Sequence, residues 1–336
     1  MAIGETAHVN SVREQLLAGR ARLAEVLAEN ESDQVLRLLD EVDSALHRID
    51  HGAFGVCEVC QGTVEPGQLL ENPLARVCLD CLTPKQARAL EYDLELAAQI
   101  QKGLLPPSDI AFSGWDISYH YQPAGVVSGD YCDLIRENGH LYFIMADVSG
   151  KGVAAAMLSS NLRAVFRSLI PLRLSVEELM VRANRLFHES ALPNQYATLV
   201  FGKASSSGEL VMANAGHLPV LLVGKSGVRT FESTCKPLGF FSDETVSVSK
   251  VRMTPGETLV LYTDGISEAE NDAGDEYSSE RLRRFIAEQP LHCPTQLVDA
   301  CKQQVAAFRG SRERVDAETL LAIQYTPATG SNFASA

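Results

Sequence analysis

Apolar and polar positions along the chain change their period near residue 108. Before this point apolar residues recur every three or four positions, which predicts amphipathic helices over 11–29, 33–50 and 84–105. After it, short apolar runs bounded by turn residues predict β-strands. The strand pattern is confined to the stretch after residue 108, so we expect that stretch to form a separate domain.

The first two predicted helices are separated by Asn30-Glu31-Ser32, where Ser32 can cap the second helix. Each helix carries one apolar face, so a helical hairpin or a bent pair of helices is expected. The apolar positions are Leu16, Leu17, Leu23, Val26 and Leu27 in the first helix, and Val35, Leu36, Leu39, Val42, Leu46 and Ile49 in the second.

The third predicted helix begins at Thr83-Pro84, a cap followed by proline at the first helical position, and ends before Pro106-Pro107. It is about 22 residues long, or roughly 33 Å. Its apolar seam fits a helix packed on its own domain or a parallel two-helix coiled coil, and we favour a coiled coil that forms a homodimer or relays a signal. The seam consists of Leu90, Leu94, Ala97, Gln101 and Leu104.

The region after residue 108 contains strands and helices in blocks, without strict alternation. This order favours an α+β fold, an α-β-β-α sandwich of two antiparallel sheets flanked by helices, over a doubly wound parallel sheet. The predicted strands are 116–121, 141–146, 197–202, 209–214, 258–263 and 319–324, and the predicted helices are 153–169, 175–190, 278–288 and 294–308.

Two Cys-x-x-Cys pairs, Cys57/Cys60 and Cys78/Cys81, lie between the helical segments. This spacing lets four thiolates close a tetrahedron around one Zn²⁺, which would be a structural site without an open position for a substrate. The alternative is a pair of disulfides or redox-active dithiols. The remaining cysteines are scattered and are read as inert thiols: Cys132, Cys235, Cys293 and Cys301.

Four aspartates each lie at one end of an apolar run: Asp130, Asp147, Asp264 and Asp316. A carboxylate is costly to place against a core unless a cation compensates it, so the set predicts a shared site for hard divalent ions. Oxygen ligands suit Mg²⁺ or Mn²⁺, and such a site suits chemistry on a phosphate. For any single aspartate, the alternative is a turn or a strand-end cap.

Composition restricts the partners of the protein. The 336 residues, 46% of them hydrophobic, are enough for two or three domains, and the formal charge of −14 disfavours nucleic acid and anionic membranes as partners. No segment approaches the roughly 20 apolar residues that span a bilayer, and the N-terminus lacks the pattern of a signal peptide. We therefore expect a cytoplasmic protein.

The cysteine region resembles the zinc fingers of the DksA/TraR family over about residues 35–82. That family includes regulators that enter the secondary channel of RNA polymerase. Asp40, Asp43 and Ala45 reproduce an Asp-x-x-Asp-x-Ala spacing, but within about three helical turns of Cys57 rather than at the end of a long hairpin. We read these acids as solvated charge and do not expect RNA polymerase as a partner.

A second resemblance covers about residues 92–325. The chain resembles the SpoIIE/RsbU-type branch of the metal-dependent (PPM, type 2C) protein serine/threonine phosphatases. The motifs that carry the resemblance occur in order: Gln99-Ile100-Gln101-Lys102-Gly103-Leu104-Leu105-Pro106, Gly125-Val126-Val127-Ser128-Gly129-Asp130-Tyr131-Cys132-Asp133, Ala146-Asp147-Val148-Ser149-Gly150-Lys151-Gly152, Asn214-Ala215-Gly216-His217-Leu218-Pro219, Pro237-Leu238-Gly239 and Tyr262-Thr263-Asp264-Gly265-Ile266.

This resemblance implies a catalytic site with two Mn²⁺ or Mg²⁺ ions. Asp147 would bridge the ions, the backbone carbonyl of Val148 would bind one, Asp130 would lie near the first, and Asp264 and Asp316 would hold the second. A metal-activated water would attack phosphoserine or phosphothreonine directly. The substrate implied is a phosphorylated anti-sigma-factor antagonist of the STAS type.

The matched motifs include one histidine, and the segment before the last strand departs from the family pattern. His217 could be a general acid, but a histidine in a Gly-His-Leu-Pro turn is expected to be structural. Members of the family often carry two acidic or amide residues before the last strand, whereas here Asp316 is followed by Ala317 and Glu318. The first of the pair is kept, so a second ion is still expected.

The sequence therefore predicts four segments: a helical and zinc-finger domain (1–82), a linker helix (83–106), a phosphatase domain (107–327) and a disordered tail (328–336). The predicted function is a phosphatase regulated by its zinc module, which would dock a partner or fix the dimer. The alternative is a zinc-finger protein that contacts RNA polymerase and has a weak phosphatase domain.

Overall fold

The structure is a computed structural model that describes residues 3–29, 33–81, 84–107, 112–191, 195–241, 245–289 and 293–327. The chain divides into two compact units, Met1–Asp93 and Leu94–Ala336. The predicted caps at Ser32 and Thr83 and the predicted tail at 328–336 lie outside the described residues. No helix in the described ranges has both the length and the apolar character needed to span a membrane.

The first unit begins with an antiparallel helical hairpin, as the sequence predicts. It consists of α1 (Ile3–Glu29), which starts earlier than predicted, and α2 (Asp33–Asp50). Ion pairs from Arg13 to Asp50 at 3.2 Å and from Arg20 to Asp43 at 2.5 Å join the helices along their exposed edges. The buried core between the helices comprises Val12, Leu16, Val42, Ala45 and Leu46.

A small module with little regular structure follows the hairpin. It contains a β-bridge between Val56 and Thr63, the short helix α3 (Pro66–Glu71) and a 3₁₀ turn at Leu79–Cys81. Its small core is formed by Cys57, Val64, Ala75 and Cys78. The cysteines therefore supply part of the core, as expected for a module too small to bury many apolar side chains. The long helix α4 (Pro84–Leu104) comes next.

The second unit contains two five-stranded antiparallel sheets. The first sheet has the order β1-β10-β9-β6-β7 and the second sheet has the order β2-β3-β4-β5-β8. The strands are β1 (Trp115–Gln122), β2 (Tyr131–Glu137), β3 (His140–Val148), β4 (Ala197–Ser205), β5 (Glu209–Ala215), β6 (Val220–Gly224), β7 (Gly227–Phe231), β8 (Ser249–Arg252), β9 (Thr258–Tyr262) and β10 (Glu318–Tyr325).

Helices cover the outer faces of both sheets. The second sheet packs against α5 (Gly152–Leu169) and α6 (Val176–Ser190), and the first against α8 (Ser279–Glu288) and α9 (Pro294–Arg309). A third core, which includes Phe143, lies between the sheets. Gly202 pairs with Phe143 across β3 and β4 and has no side chain, which leaves room for the ring. The α+β prediction of an α-β-β-α sandwich is confirmed.

Several short elements were missed by the hydrophobic pattern. Strands β6, β7 and β8 are four or five residues long, and β7 is largely exposed. Strand β2 carries a buried charge, Asp133, which interrupts its apolar run. The predicted turn after β9 is the short helix α7 (Asp264–Ser267).

Candidate functional site

The ends of four strands bring the aspartates to one edge of the sandwich. Asp130 directly precedes β2, and Asp147 lies near the end of β3, which pairs with β2. Asp264 begins α7 just after β9, and Asp316 precedes β10, the partner of β9. The first two aspartates therefore come from the second sheet and the last two from the first sheet.

Asp130 links the two sheets. Its carboxylate is buried and accepts hydrogen bonds from the hydroxyls of Thr263, at 3.0 Å, and of Thr319, although it belongs to the second sheet. Burial, and next the charge of Asp147, raise the pKa of Asp130 well above its ordinary value. The two threonines therefore fix a carboxyl group that resists ionisation in the absence of a compensating cation.

The other carboxylates oppose each other's ionisation. Burial and the charges of Asp264 and Asp316 raise the pKa of Asp147 to about 7, and its carboxyl lies within hydrogen-bonding reach of Asp130. Burial and the charge of Asp316 also raise the pKa of Asp264. The four groups thus act on one another electrostatically, and a divalent cation among them would remove the repulsion.

Two glycines allow close backbone approach at this edge. A Cβ on Gly129 would lie 2.7 Å from the carbonyl oxygen of Val148, and a Cβ on Gly265 would collide with the carbonyl oxygen of Ala317. Gly129 therefore lets the segment before β2 pass close to the Val148 carbonyl, and Gly265 lets α7 lie directly against the segment that carries Asp316. Neither role is apparent from the sequence, because both depend on contacts between distant segments.

The residues after Asp316 explain the departure from the family pattern. Glu318 is buried and paired with Arg309 and with Arg314, the latter at 3.2 Å, so its carboxylate has a structural partner. Ala317 is buried and has no polar side chain. Asp316 therefore supplies the carboxylate of this segment to the site, where Lys151 Nζ lies 2.9 Å from its Oδ2. A cleft of about 580 Å³, open to solvent, lies beside Asp316.

The donor set fits hard divalent ions, since it consists of carboxylates and one carbonyl. The aspartates are not one tight group. Among the described residues, only the four cysteines form a set of three or more His, Cys, Asp or Glu ligand atoms that all lie within 4.8 Å of one another. The roles assigned to Asp130, Asp147, Val148, Asp264 and Asp316 stay predictions.

The end of α4 is attached to the loop that carries Asp130. The buried amide of Gln101 makes two hydrogen bonds to the backbone of Ser128, donating to its carbonyl at 2.6 Å and accepting from its N–H at 3.0 Å. Arg163 of α5 donates to the carbonyl of Leu104 at 3.0 Å. The C-terminal part of the predicted seam is therefore packed on its own domain, and the apolar side chains exposed on α4 include Tyr92, Leu96 and Ile100.

An ion pair between the buried Asp133 and a partly exposed arginine supports the same loop from the other side. Asp133 of β2 is fully buried, and its two oxygens accept from Arg167 of α5 at 2.8 Å each. Tyr131 also donates to this carboxylate, at 3.0 Å. Bidentate pairing of this kind holds α5 and β2 in a fixed relation next to Asp130. Asp133 is in a motif of the sequence, but its partner on a distant helix is visible only in the fold.

His217 has a structural environment, as expected. Its ring nitrogens lie 2.8 Å from the hydroxyl of Thr198 and 3.1 Å from the carbonyl of Tyr262. Burial lowers the pKa of His217 to about 4, so the ring is neutral at physiological pH. A neutral histidine with both nitrogens engaged is a poor general acid.

The four cysteines of the first unit form a compact cluster. Their sulfur atoms lie within 4.8 Å of one another, and all eight cysteines of the chain are free thiols, so the disulfide alternative is not supported. Backbone N–H groups, first that of Cys60, lower the pKa of Cys57 to about 6. The donor set fits one tetrahedral Zn²⁺. The resemblance to DksA/TraR zinc fingers stays a prediction, and Asp43 of its acidic spacing is engaged by Arg20.

The chain is similar in sequence to two bacterial proteins that are much longer than the matched region. Protein IcfG of Synechocystis is 26% identical over 261 residues, which cover 69% of this chain and 41% of that protein. Phosphoserine phosphatase RsbP of Bacillus subtilis is 30% identical over 181 residues, which cover 52% and 45% respectively. The chain thus spans less than half the length of these two relatives.

Solved structures show the same fold for the second unit. The SiaA-PP2C domain of Pseudomonas aeruginosa matches with a TM-score of 0.62 at 19% identity, covering 71% of this chain and 97% of that chain. The RsbU and RsbW domains of Rv1364c from Mycobacterium tuberculosis match with a TM-score of 0.58 at 28% identity, covering 67% and 63%. The family model for Stage II sporulation protein E (SpoIIE) matches residues 137–326, more than half of the chain. This chain is therefore a member of the SpoIIE family.

Proposed function

We propose that the protein is a metal-dependent serine/threonine protein phosphatase that dephosphorylates a regulatory phosphoprotein. The observation that carries this proposal is the convergence of Asp130, Asp147, Asp264 and Asp316 at one edge of the sandwich, where they repel one another. Membership of the SpoIIE family and the similarity to RsbP, a phosphoserine phosphatase by name, support the same reaction. A STAS-type antagonist of an anti-sigma factor is the substrate class that we propose.

The residues would hold two Mn²⁺ or Mg²⁺ ions. Asp147 would contact both, the Val148 carbonyl and Asp130 would serve the first, and Asp264 and Asp316 would serve the second. When bound, such ions lower the pKa of a water and neutralise phosphoryl oxygens.

Other residues of the chain would orient the proposed metal ligands. Thr263 and Thr319 hold the Asp130 carboxylate, and Gly129 lets the Asp130 loop pass close to the Val148 carbonyl. The hydrogen bonds of Gln101 and the ion pair of Asp133 with Arg167 fix the loop between them. Preorganisation of this kind lowers the cost of assembling the site for each turnover.

The proposed regulatory part is the first unit together with α4. One structural Zn²⁺ bound by Cys57, Cys60, Cys78 and Cys81 would fix the fold of the cysteine module. The exposed apolar side chains on α4 favour a homodimer through this helix, and the contact of Gln101 with Ser128 offers a route by which a change in α4 reaches the Asp130 loop. In this proposal the zinc module docks a partner or fixes the dimer.

Hydrolysis of a phosphoserine peptide by the full chain tests the proposal, measured with Mn²⁺ or Mg²⁺ and after chelation. Turnover is expected to require the metal. Because the ions supply several kcal/mol of charge stabilisation, Asp147→Asn and Asp264→Asn are expected to lose about 10³-fold in kcat/KM. Asp299→Asn, at an exposed position on α9, is the matched control and is expected to retain activity.

Full activity in both site variants would overturn the proposed metal site. To test the substrate class, a phosphorylated STAS protein can be compared with the peptide. A preference for the peptide would contradict the proposed class and leave the reaction intact.

A further inference from the structure

Lys151 is a lysine placed among the carboxylates of the candidate site. It is the residue before α5, four positions after Asp147, and its side chain makes no helix-capping hydrogen bond. Its ammonium group lies 2.9 Å from Asp316 Oδ2 and donates to the carbonyl of Val315 at 2.9 Å. The lysine thus joins the end of the Asp147 loop to the segment that precedes β10.

The charges around Lys151 are mainly negative. Besides Asp316, its positive charge acts on Asp147, Asp264 and Glu268, and in each case it favours the ionised carboxylate. Arg309 and Arg314, which line the adjoining cleft, are paired with Glu318. Lys151 is therefore placed to compensate the carboxylates themselves, whereas these two arginines compensate a neighbouring group.

The ion pair is exposed enough to exchange. The Lys151 and Asp316 side chains are 63% and 41% exposed, and ion pairs of this exposure are weak because water and salt screen them. A divalent ion would be attracted to the Asp316 carboxylate more strongly than an ammonium group is. The ammonium group of Lys151 would also repel such an ion at close range. Binding of an ion at Asp316 therefore competes with the Lys151 contact.

We propose that Lys151 is the internal counterion of the metal site: its ammonium group pairs with Asp316 whenever no divalent ion is bound, is displaced when an ion binds, and so sets the metal concentration at which the site fills. The consequence for catalysis rests on the proposed function, whereas the effect on metal binding does not. Lys151 is a positioning residue in this account, since it acts through Asp316.

Titration of Mn²⁺ into the metal-depleted full chain, followed by calorimetry, tests the proposal. Lys151→Met is expected to bind Mn²⁺ about three- to tenfold more tightly, because it removes the competing charge while most of the methylene chain is kept. Lys151→Arg retains the charge and is expected to bind Mn²⁺ within about twofold of the unaltered protein. The difference between the Met variant and the unaltered protein is expected to shrink at high salt.

Lys225→Met provides the matched control, since Lys225 is exposed in the turn between β6 and β7. It is expected to leave Mn²⁺ affinity unchanged. Equal or weaker binding by Lys151→Met would overturn the counterion proposal, and so would tighter binding by Lys151→Arg or by the Lys225 variant.

The two proposals fail in different ways. Mn²⁺ binding that tightens in Lys151→Met, without hydrolysis of any phosphoserine substrate, would overturn the proposed phosphatase and leave the counterion in place. Hydrolysis of a phosphoserine substrate together with an unchanged Mn²⁺ affinity in Lys151→Met would overturn the counterion proposal and leave the proposed phosphatase in place. A chain that binds no Mn²⁺ would overturn both.

Discussion

The cysteine cluster and the carboxylate site differ in how far apart their residues lie along the chain. All four cysteines lie between Cys57 and Cys81, within one small module, whereas the aspartates extend from Asp130 to Asp316 across two sheets. A local set needs only two turns and a short connection. A dispersed set needs the whole sandwich to be folded before its members meet.

The two sites are also expected to differ in their effect on the stability of the unit that contains them. Two of the four cysteines, Cys57 and Cys78, belong to the small core of their module, and a zinc ion bound by the cluster would stabilise a unit that buries few other side chains. The aspartates repel one another at the edge of a fold that already has three large apolar cores. The cysteine cluster is expected to stabilise the first unit, whereas the fold of the second unit is expected to hold the carboxylate site together.

Loss of the cysteine cluster is the largest expected effect. Cys57→Ser removes a buried member of the proposed zinc site, and since zinc binding by small modules is worth about 10–16 kcal/mol, a module that holds zinc is expected to lose both the ion and its fold. Zinc content and amide hydrogen exchange would show this. Cys293→Ser, a control at the N-cap of α9, is expected to change neither. Loss of zinc without increased exchange in residues 55–81 would contradict a structural role.

Breaking the ion pair of Asp133 is expected to have the next largest effect. Arg167→Met leaves a fully buried carboxylate with fewer partners and is expected to cost about 3 kcal/mol of unfolding free energy, at the lower end for buried pairs because Tyr131 still donates to Asp133. Denaturant unfolding measures the change. Arg173→Met, at a residue whose partner Asn138 is exposed, is the control. Equal costs for the two variants would show that the pair does not support the second unit.

A methyl group at Gly265 tests the close approach of distant segments. Gly265→Ala would collide with the Ala317 carbonyl, so it is expected to cost about 1–3 kcal/mol and to weaken Mn²⁺ binding by moving Asp264 away from Asp316. Unfolding and metal titration give the two values. Gly103→Ala, in open space on α4, is expected to be neutral or stabilising. An unchanged metal affinity in Gly265→Ala would contradict the proposed pairing of these aspartates.

Removal of the Gln101 amide is expected to cost no more stability than Gly265→Ala does. Gln101→Ala leaves the buried N–H and carbonyl of Ser128 without this partner, at a cost of about 1–3 kcal/mol, and is expected to reduce hydrolysis more than it reduces stability. Thermal unfolding and kcat measured together would separate the two effects. Gln99→Ala, at an exposed position two residues earlier, is the control. If activity falls only in proportion to the folded fraction, the contact has no separate role in the site.

The sequence predicted long, regularly patterned elements better than short or polar ones. Helices α2, α5, α6 and α9 and strands β3, β9 and β10 lie close to their predicted positions, because each has a continuous apolar face. Strand β2 was not predicted because Asp133 breaks its apolar run, and that buried charge is compensated by Arg167 and by a hydrogen bond from Tyr131. The seam predicted on α4 gave only part of the buried face of this helix a clear reason, because Gln101 is polar and yet buried.

Spacing between near neighbours in the sequence encodes the two Cys-x-x-Cys pairs, the periods of the main helices and strands, and the placement of each aspartate at the end of an apolar run. The three-dimensional fold is needed to show which strand ends meet, that Thr263 and Thr319 donate to Asp130, and that Lys151 contacts Asp316. The physical reason is that hydrophobic periodicity specifies which face of an element is buried, whereas the partners of a polar side chain depend on how separate elements pack together.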